Sequence, residues 1–144
     1  MVTCADTSFL FSLYGNDVNT PRATAWIRSH RTAITLTTLN DYELGNALRF
    51  AEFRKAIGPG EAARFWADFE ADRAAGRLKL AVCNLADVVN ESKRLSATYT
   101  LDRGHRGFDI LHVAAATRLK ARQFLTFDEN QKKLAEAEKL VVPF

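Results

Sequence analysis

Short apolar runs alternate along the chain with longer stretches of helical period. Residues 2–5, 33–37, 78–83, 123–127 and 140–142 read as strands, rich in Val, Ile, Leu, Phe and Thr. Between them, residues 8–14, 21–29, 38–56, 61–75, 86–99 and 109–120 carry apolar positions at helical spacing. The punctuation agrees with this division. Gly15-Asn16 breaks the first helix, Pro21 opens the second, Gly58-Pro59-Gly60 forces a turn and Gly76 closes the helix before it. A further helix starts near Asn130. Strands separated by helices predict an α/β fold, with a central, mostly parallel sheet of about five strands and helices on both faces. The 144 residues suit one domain spanning 1–144.

In such a sheet, ligands bind beyond the carboxyl ends of the strands, so the residues just after each strand matter most. Asp6 ends the first strand, Glu43 lies in the early turns of the helix after the second, and Asp128 ends the strand at 123–127. Asp109 opens a helix that runs antiparallel to that strand and so begins near the same edge. Four acids distant in sequence converge. Clustered carboxylates repel by several kcal/mol per close pair at an effective dielectric of about 20, and a cation relieves this. An all-oxygen set without His or Cys ligands favours Mg2+ or Mn2+ over zinc, one or two ions together. Each acid also has a plainer reading as a helix cap. Asn40-Asp41-Tyr42-Glu43 resembles a capping box, and Asp109 and Asp128 stand where caps belong. Asp17, Asp68, Asp72 and Asp87 read as such ordinary acids.

Composition changes the picture little. The net charge is +3, too small to settle a nucleic-acid role, although 13 of the 20 basic residues are arginine. The start of the chain lacks the pattern of a signal peptide, and no apolar run is long enough to span a bilayer, so a cytoplasmic protein is expected. Cys4 and Cys83 lie in strand-like runs and read as small buried thiols rather than a disulfide.

Four segments together carry a resemblance: Ala5-Asp6-Thr7-Ser8-Phe9-Leu10, Asn40-Asp41-Tyr42-Glu43-Leu44, Phe108-Asp109-Ile110-Leu111-His112-Val113-Ala114-Ala115-Ala116 and Phe124-Leu125-Thr126-Phe127-Asp128. In order and spacing they resemble the PIN-domain family, and within it the VapC-type toxins of toxin–antitoxin pairs. The resemblance implies a three-layer α/β/α fold and Mg2+- or Mn2+-dependent endoribonuclease activity. It implies metal-ligand roles for Asp6, Glu43, Asp109 and Asp128, with hydroxyl support from Ser8 and Thr126. It further implies an RNA substrate, a small antitoxin that inserts a segment near the active site, and a homodimer.

Other residues remain open at this level. Arg103, His105 and Arg106 precede Asp109 among glycines and form either an RNA phosphate loop or a solvated turn. His112 reads chiefly as a packed histidine, with a metal or general-base role as the alternative. Phe50, Phe53, Phe65, Trp66 and Phe69 cannot all share one narrow helical stripe, which points to a partner groove or else a broad core face. Two rival functions stand beside the nuclease. A phosphoryl-transfer domain of receiver or haloacid-dehalogenase type lacks its expected Asp-x-Asp pair here. A binding module would use the acids as caps and the aromatic groove as its working surface.

Overall fold

The computed structural model describes residues 1–144. Four strands, β1 (Thr3–Ala5), β2 (Ile34–Leu36), β3 (Leu78–Leu80) and β4 (Gln123–Leu125), form a wholly parallel sheet in the order β3-β2-β1-β4. Side chains alternate across each strand and so feed two cores. Ala5, Ile34, Leu36, Leu78 and Leu125 face a core shared with α1 (Thr7–Tyr14), α2 (Thr20–Ser29), α3 (Thr38–Phe53) and α4 (Glu61–Ala74). Cys4 and Phe124 face a second core, shared with α5 (Leu85–Leu95), α7 (Gly107–Arg118) and α8 (Glu129–Ala137). The result is the expected three-layer α/β/α arrangement. A π-helical turn at Ser96–Thr100 and the short α6 (Leu101–Arg103) extend α5, and Gly104, at φ 66°, ends this run.

The chain steps outward from β1 to β2 and β3, then crosses back to place β4 on the other side of β1. That reversal opens a crevice at the carboxyl ends of β1 and β4, the position at which such sheets bind ligands.

The sheet has four strands rather than about five. Of residues 140–142, only Val141 joins it, as a single parallel bridge to Gln123 beside β4. Leu140 turns into the second core, Val141 is exposed, and Pro143 has no N–H with which to continue a ladder. The expected strand at 78–83 likewise stops at Leu80. It lies at the open edge, its neighbour β2 ends at Leu36, and Val82 is in solvent. No helix is long and apolar enough to cross a membrane. Cys4 and Cys83 are both free; Cys4 is buried as expected, which pushes its thiol up to about 12 and disfavours the thiolate, whereas Cys83 is only half-buried.

Candidate active site

Asp6 sits where β1 hands over to α1. Its N–H donates to Leu125 O at 3.1 Å, continuing the β1–β4 ladder, while its Oδ1 accepts from Phe9 N at 3.0 Å and caps α1. The Ser8 hydroxyl donates to both carboxylate oxygens, at 2.7 and 2.9 Å, and the Thr126 hydroxyl to Oδ2 at 2.5 Å. Each hydroxyl oxygen in turn accepts a backbone N–H from the turn after β4, Phe127 N at Ser8 and Asp128 N at Thr126, both at 3.0 Å. With its proton committed to Asp6 and a lone pair to the backbone, neither hydroxyl is free to rotate. Asp6 is only 2% exposed, and burial outweighs its hydrogen bonds to push its carboxyl up to about 6.

Glu43 is not a helix cap. The cap of α3 lies one turn earlier, where the Asn40 side chain accepts from Thr37 N at 2.8 Å and donates to Ala5 O at 3.0 Å, tying the helix to the end of β1. Glu43 is thereby left free to project beyond the sheet. It accepts a hydrogen bond from the Thr7 hydroxyl and lies 2.9 Å from His112 Nε2. Burial alone would raise its carboxyl, but the contacts from His112 and Thr7 outweigh burial and hold it below the ordinary carboxylate range. His112 is the packed histidine the sequence suggested: its side chain, on the buried face of α7, is 2% exposed, and its one polar contact is with Glu43.

Asp109 lies in the first turn of α7, where it caps nothing. Burial raises its carboxyl despite the nearby Arg106 guanidinium. Asp128 does cap its helix, accepting from Gln131 N at 2.8 Å, and the buried Gln131 amide donates to Asp109 O at 3.1 Å, locking α8 against α7. Arg106 stands between the two acids. Its Nε donates to Asp109 Oδ2 at 3.0 Å, and a terminal nitrogen lies 3.6 Å from Asp128 Oδ2.

Asp6, Glu43, Asp109 and Asp128 line a single cavity of about 320 Å³, together with Thr7, Ser8 and Arg106. The convergence expected from strand ends is therefore present, delivered by four different elements. It is looser than an ion cage, because no three acidic, His or Cys groups stand close enough to hold an ion as now arranged. The donor set nevertheless suits a hard divalent cation: every candidate ligand is a carboxylate, and one guanidinium already draws two of them together.

A family model of the PIN domain matches residues 3–137. The chain belongs to the PIN-domain family. No curated protein sequence matches it. Among solved structures, its fold is similar to that of Mycobacterium tuberculosis VapC20, a sarcin–ricin loop cleaving toxin, with a TM-score of 0.70 over 96% of each chain at 16% identity.

Around the centre of this PIN domain, the loop that read as either an RNA phosphate contact or a solvated turn divides. Arg106 reaches the cavity. Arg103 lies instead over the Tyr99 ring, 5.4 Å from its centroid. His105 is not a solvated basic side chain: it is 7% exposed, neither ring nitrogen has a partner, and burial followed by Arg103 holds its pKa down. The five-aromatic groove also needs correction. Phe65 and Phe69 are core residues, and Trp66 is partly buried against Phe69, with ring centroids 4.8 Å apart. Phe69 packs edge-on against Tyr14 and Trp66 lies against Gly45 of α3, so of the five only Phe50 and Phe53 remain exposed, stacked 6.0 Å apart. Sequence reasoning assigned no role to Thr7 or Gln131, and read Asn40 only as part of a capping box. The one signal for Thr7 was its place beside Asp6 in the first turn of α1; Asn40 carried the N3 position of a box whose start was misplaced by three residues.

Proposed function

We propose that this PIN domain is an endoribonuclease dependent on Mg2+ or Mn2+, and that it serves as the toxin of a toxin–antitoxin pair. One observation carries the reading: four carboxylates from four elements face one cavity, and two of them, Glu43 and Asp109, make no capping hydrogen bond. A module that used its acids only as caps has no need of those two. Family membership and the VapC20-like fold support the nuclease reading.

Asp6, Glu43, Asp109 and Asp128 would hold the ion or ions. When bound, a divalent ion supplies charge neutralisation to the phosphodiester and acidifies the attacking water. Ser8 and Thr126 fix Asp6, whose buried carboxyl has a strong electrostatic incentive to accept a cation. Thr7 and His112 hold Glu43 as an anion aimed into the cavity. Arg106, 77% exposed along its side chain, reaches from the cavity rim and can bind a phosphate oxygen. No protein nucleophile is required: water attacks phosphorus and the 3′ oxygen leaves. For the cognate antitoxin, the exposed Phe50 and Phe53 offer the apolar contact, beside a cavity that Phe50 shares with Thr7, Ser8 and Asp128. Assembly as a homodimer and a cytoplasmic setting complete the proposal.

The test is cleavage of cellular RNA by purified protein, with the new ends mapped. Mn2+ should support it, excess chelator should abolish it, and Asp109→Asn should lower it by orders of magnitude while circular dichroism stays native. Robust cleavage by Asp109→Asn, or in chelator with contaminating nuclease excluded, contradicts the reading.

A further inference from the structure

We infer that Arg106 is a resident counter-ion that competes with a divalent cation for Asp109 and Asp128, and is released toward the RNA phosphate when the cation binds. The inference rests on the divalent-ion reading of the site given above. Its starting point is a mismatch. Four carboxylates line the cavity, yet no three are near enough to hold an ion, and the one cation present is a guanidinium bridging two of them. Like-charged groups gathered at a sheet edge repel one another, and a cation beside them relieves the repulsion. Arg106 does this for one side of the cavity, 3.0 Å from Asp109 and 3.6 Å from Asp128. On the other side, Glu43 has Thr7 and His112, and Asp6 has Ser8, Thr126 and Phe9 N. Only the Arg106 contact can be exchanged without breaking the protein's own buried structure.

Three features make the exchange easy. The Arg106 side chain is 77% exposed, so its departure uncovers no core and its head can be solvated at once. Arg106 is the N-cap residue of α7, but its side chain caps nothing, so the helix start does not depend on where that side chain points. It also stands between Gly104, in the left-handed region at φ 66°, and Gly107, where an added Cβ would meet nothing within 4 Å. The neighbouring charges favour the same movement. A divalent ion on Asp109 and Asp128 repels the guanidinium from a position only a few ångströms away. A phosphodiester approaching that ion presents oxygens of the sign Arg106 has just lost, and a bidentate guanidinium suits them. Ion and RNA binding are then coupled through one side chain, and the coupling is reciprocal.

The experiment is calorimetric titration of Mn2+ into wild type, Arg106→Gln, Arg106→Lys and Asp109→Asn, with the Michaelis constant for a cleavable RNA measured for the first three. Because the displaced contact is solvent-exposed, Arg106→Gln should bind Mn2+ about two- to fivefold more tightly than wild type. The same variant should show a higher KM for RNA. Arg106→Lys should fall between the two in Mn2+ affinity, since a point charge binds the paired acids less well than a fork. Unchanged or weaker Mn2+ binding by Arg106→Gln, with wild type binding normally and both melting alike, overturns the inference while leaving the ion reading intact. Absence of Mn2+ binding by every protein, Asp109→Asn included, overturns the ion reading and this inference with it.

Discussion

Asp6 offers the sharpest test of how the site is held together, because the ion-binding role proposed for it and the stability of the ion-free fold oppose each other there. Its carboxyl is displaced from 3.8 to about 6 by burial. A group whose folded pKa is raised contributes stability that is fully present below the unfolded value and is lost as pH rises through the folded one. At about 1.4 kcal/mol per unit, the charged form burdens the ion-free protein by about 3 kcal/mol above pH 7. Asp6→Asn removes that burden. It also deprives the Thr126 hydroxyl of its acceptor, at a cost of about 1 kcal/mol. The variant should therefore be more stable than wild type by about 2 kcal/mol at pH 8 in chelator. Near pH 4, where the native carboxyl is already protonated, the order should reverse, with the variant about 1 kcal/mol less stable. Urea unfolding followed by far-ultraviolet circular dichroism at both pH values measures the two gaps, with equal m-values as the control. A variant less stable than wild type at pH 8, by a margin that does not change with pH, would refute the argument that burial rather than hydrogen bonding dominates at Asp6.

The ion should reverse that order: Mn2+ at about 100 times its dissociation constant should stabilise wild type by about 2.7 kcal/mol and Asp6→Asn by far less, read as the shift in urea midpoint. His112→Ala should lower RNA cleavage at least about tenfold, because Glu43 loses a partner that counters its burial, and His112→Gln should recover part of it; an unaltered rate in His112→Ala removes His112 from the site. Phe69→Ala should cost about 3–5 kcal/mol in chemical denaturation, whereas Phe53→Ala should stay within about 0.5 kcal/mol. Equal costs for the two would restore the single aromatic face that the structure divides.

The parts of this molecule legible in the sequence are those governed by local rules. Alternating apolar runs placed β1, β2 and β4 to within two residues at either end, and the reversal of chain direction then put Asp6, Glu43, Asp109 and Asp128 at one edge. Caps and ligands looked like alternatives in the sequence, yet Asp6 and Asp128 cap helices while facing the cavity. A carboxylate has two oxygens and can use one for each purpose. What the sequence concealed depends on long-range packing. The His112–Glu43 contact spans 69 positions, and no local pattern announces it. Adjacent Phe65 and Trp66 looked too widely spread for one stripe because the surfaces that cover α4 come from distant segments, Trp66 lying against Gly45 of α3 while Phe65 and Phe69 enter the core. Residues 140–142 have strand-like side chains but lie outside β4, with proline following.

The grip of Ser8 and Thr126 on Asp6 joins the first ten residues to a loop more than a hundred positions later. A polypeptide still being synthesised has only half of that clasp until position 128 has cleared the ribosome. Under the nuclease reading proposed above, the site stays unfinished until the segment carrying Thr126, Phe127 and Asp128 has been made and has folded onto β1.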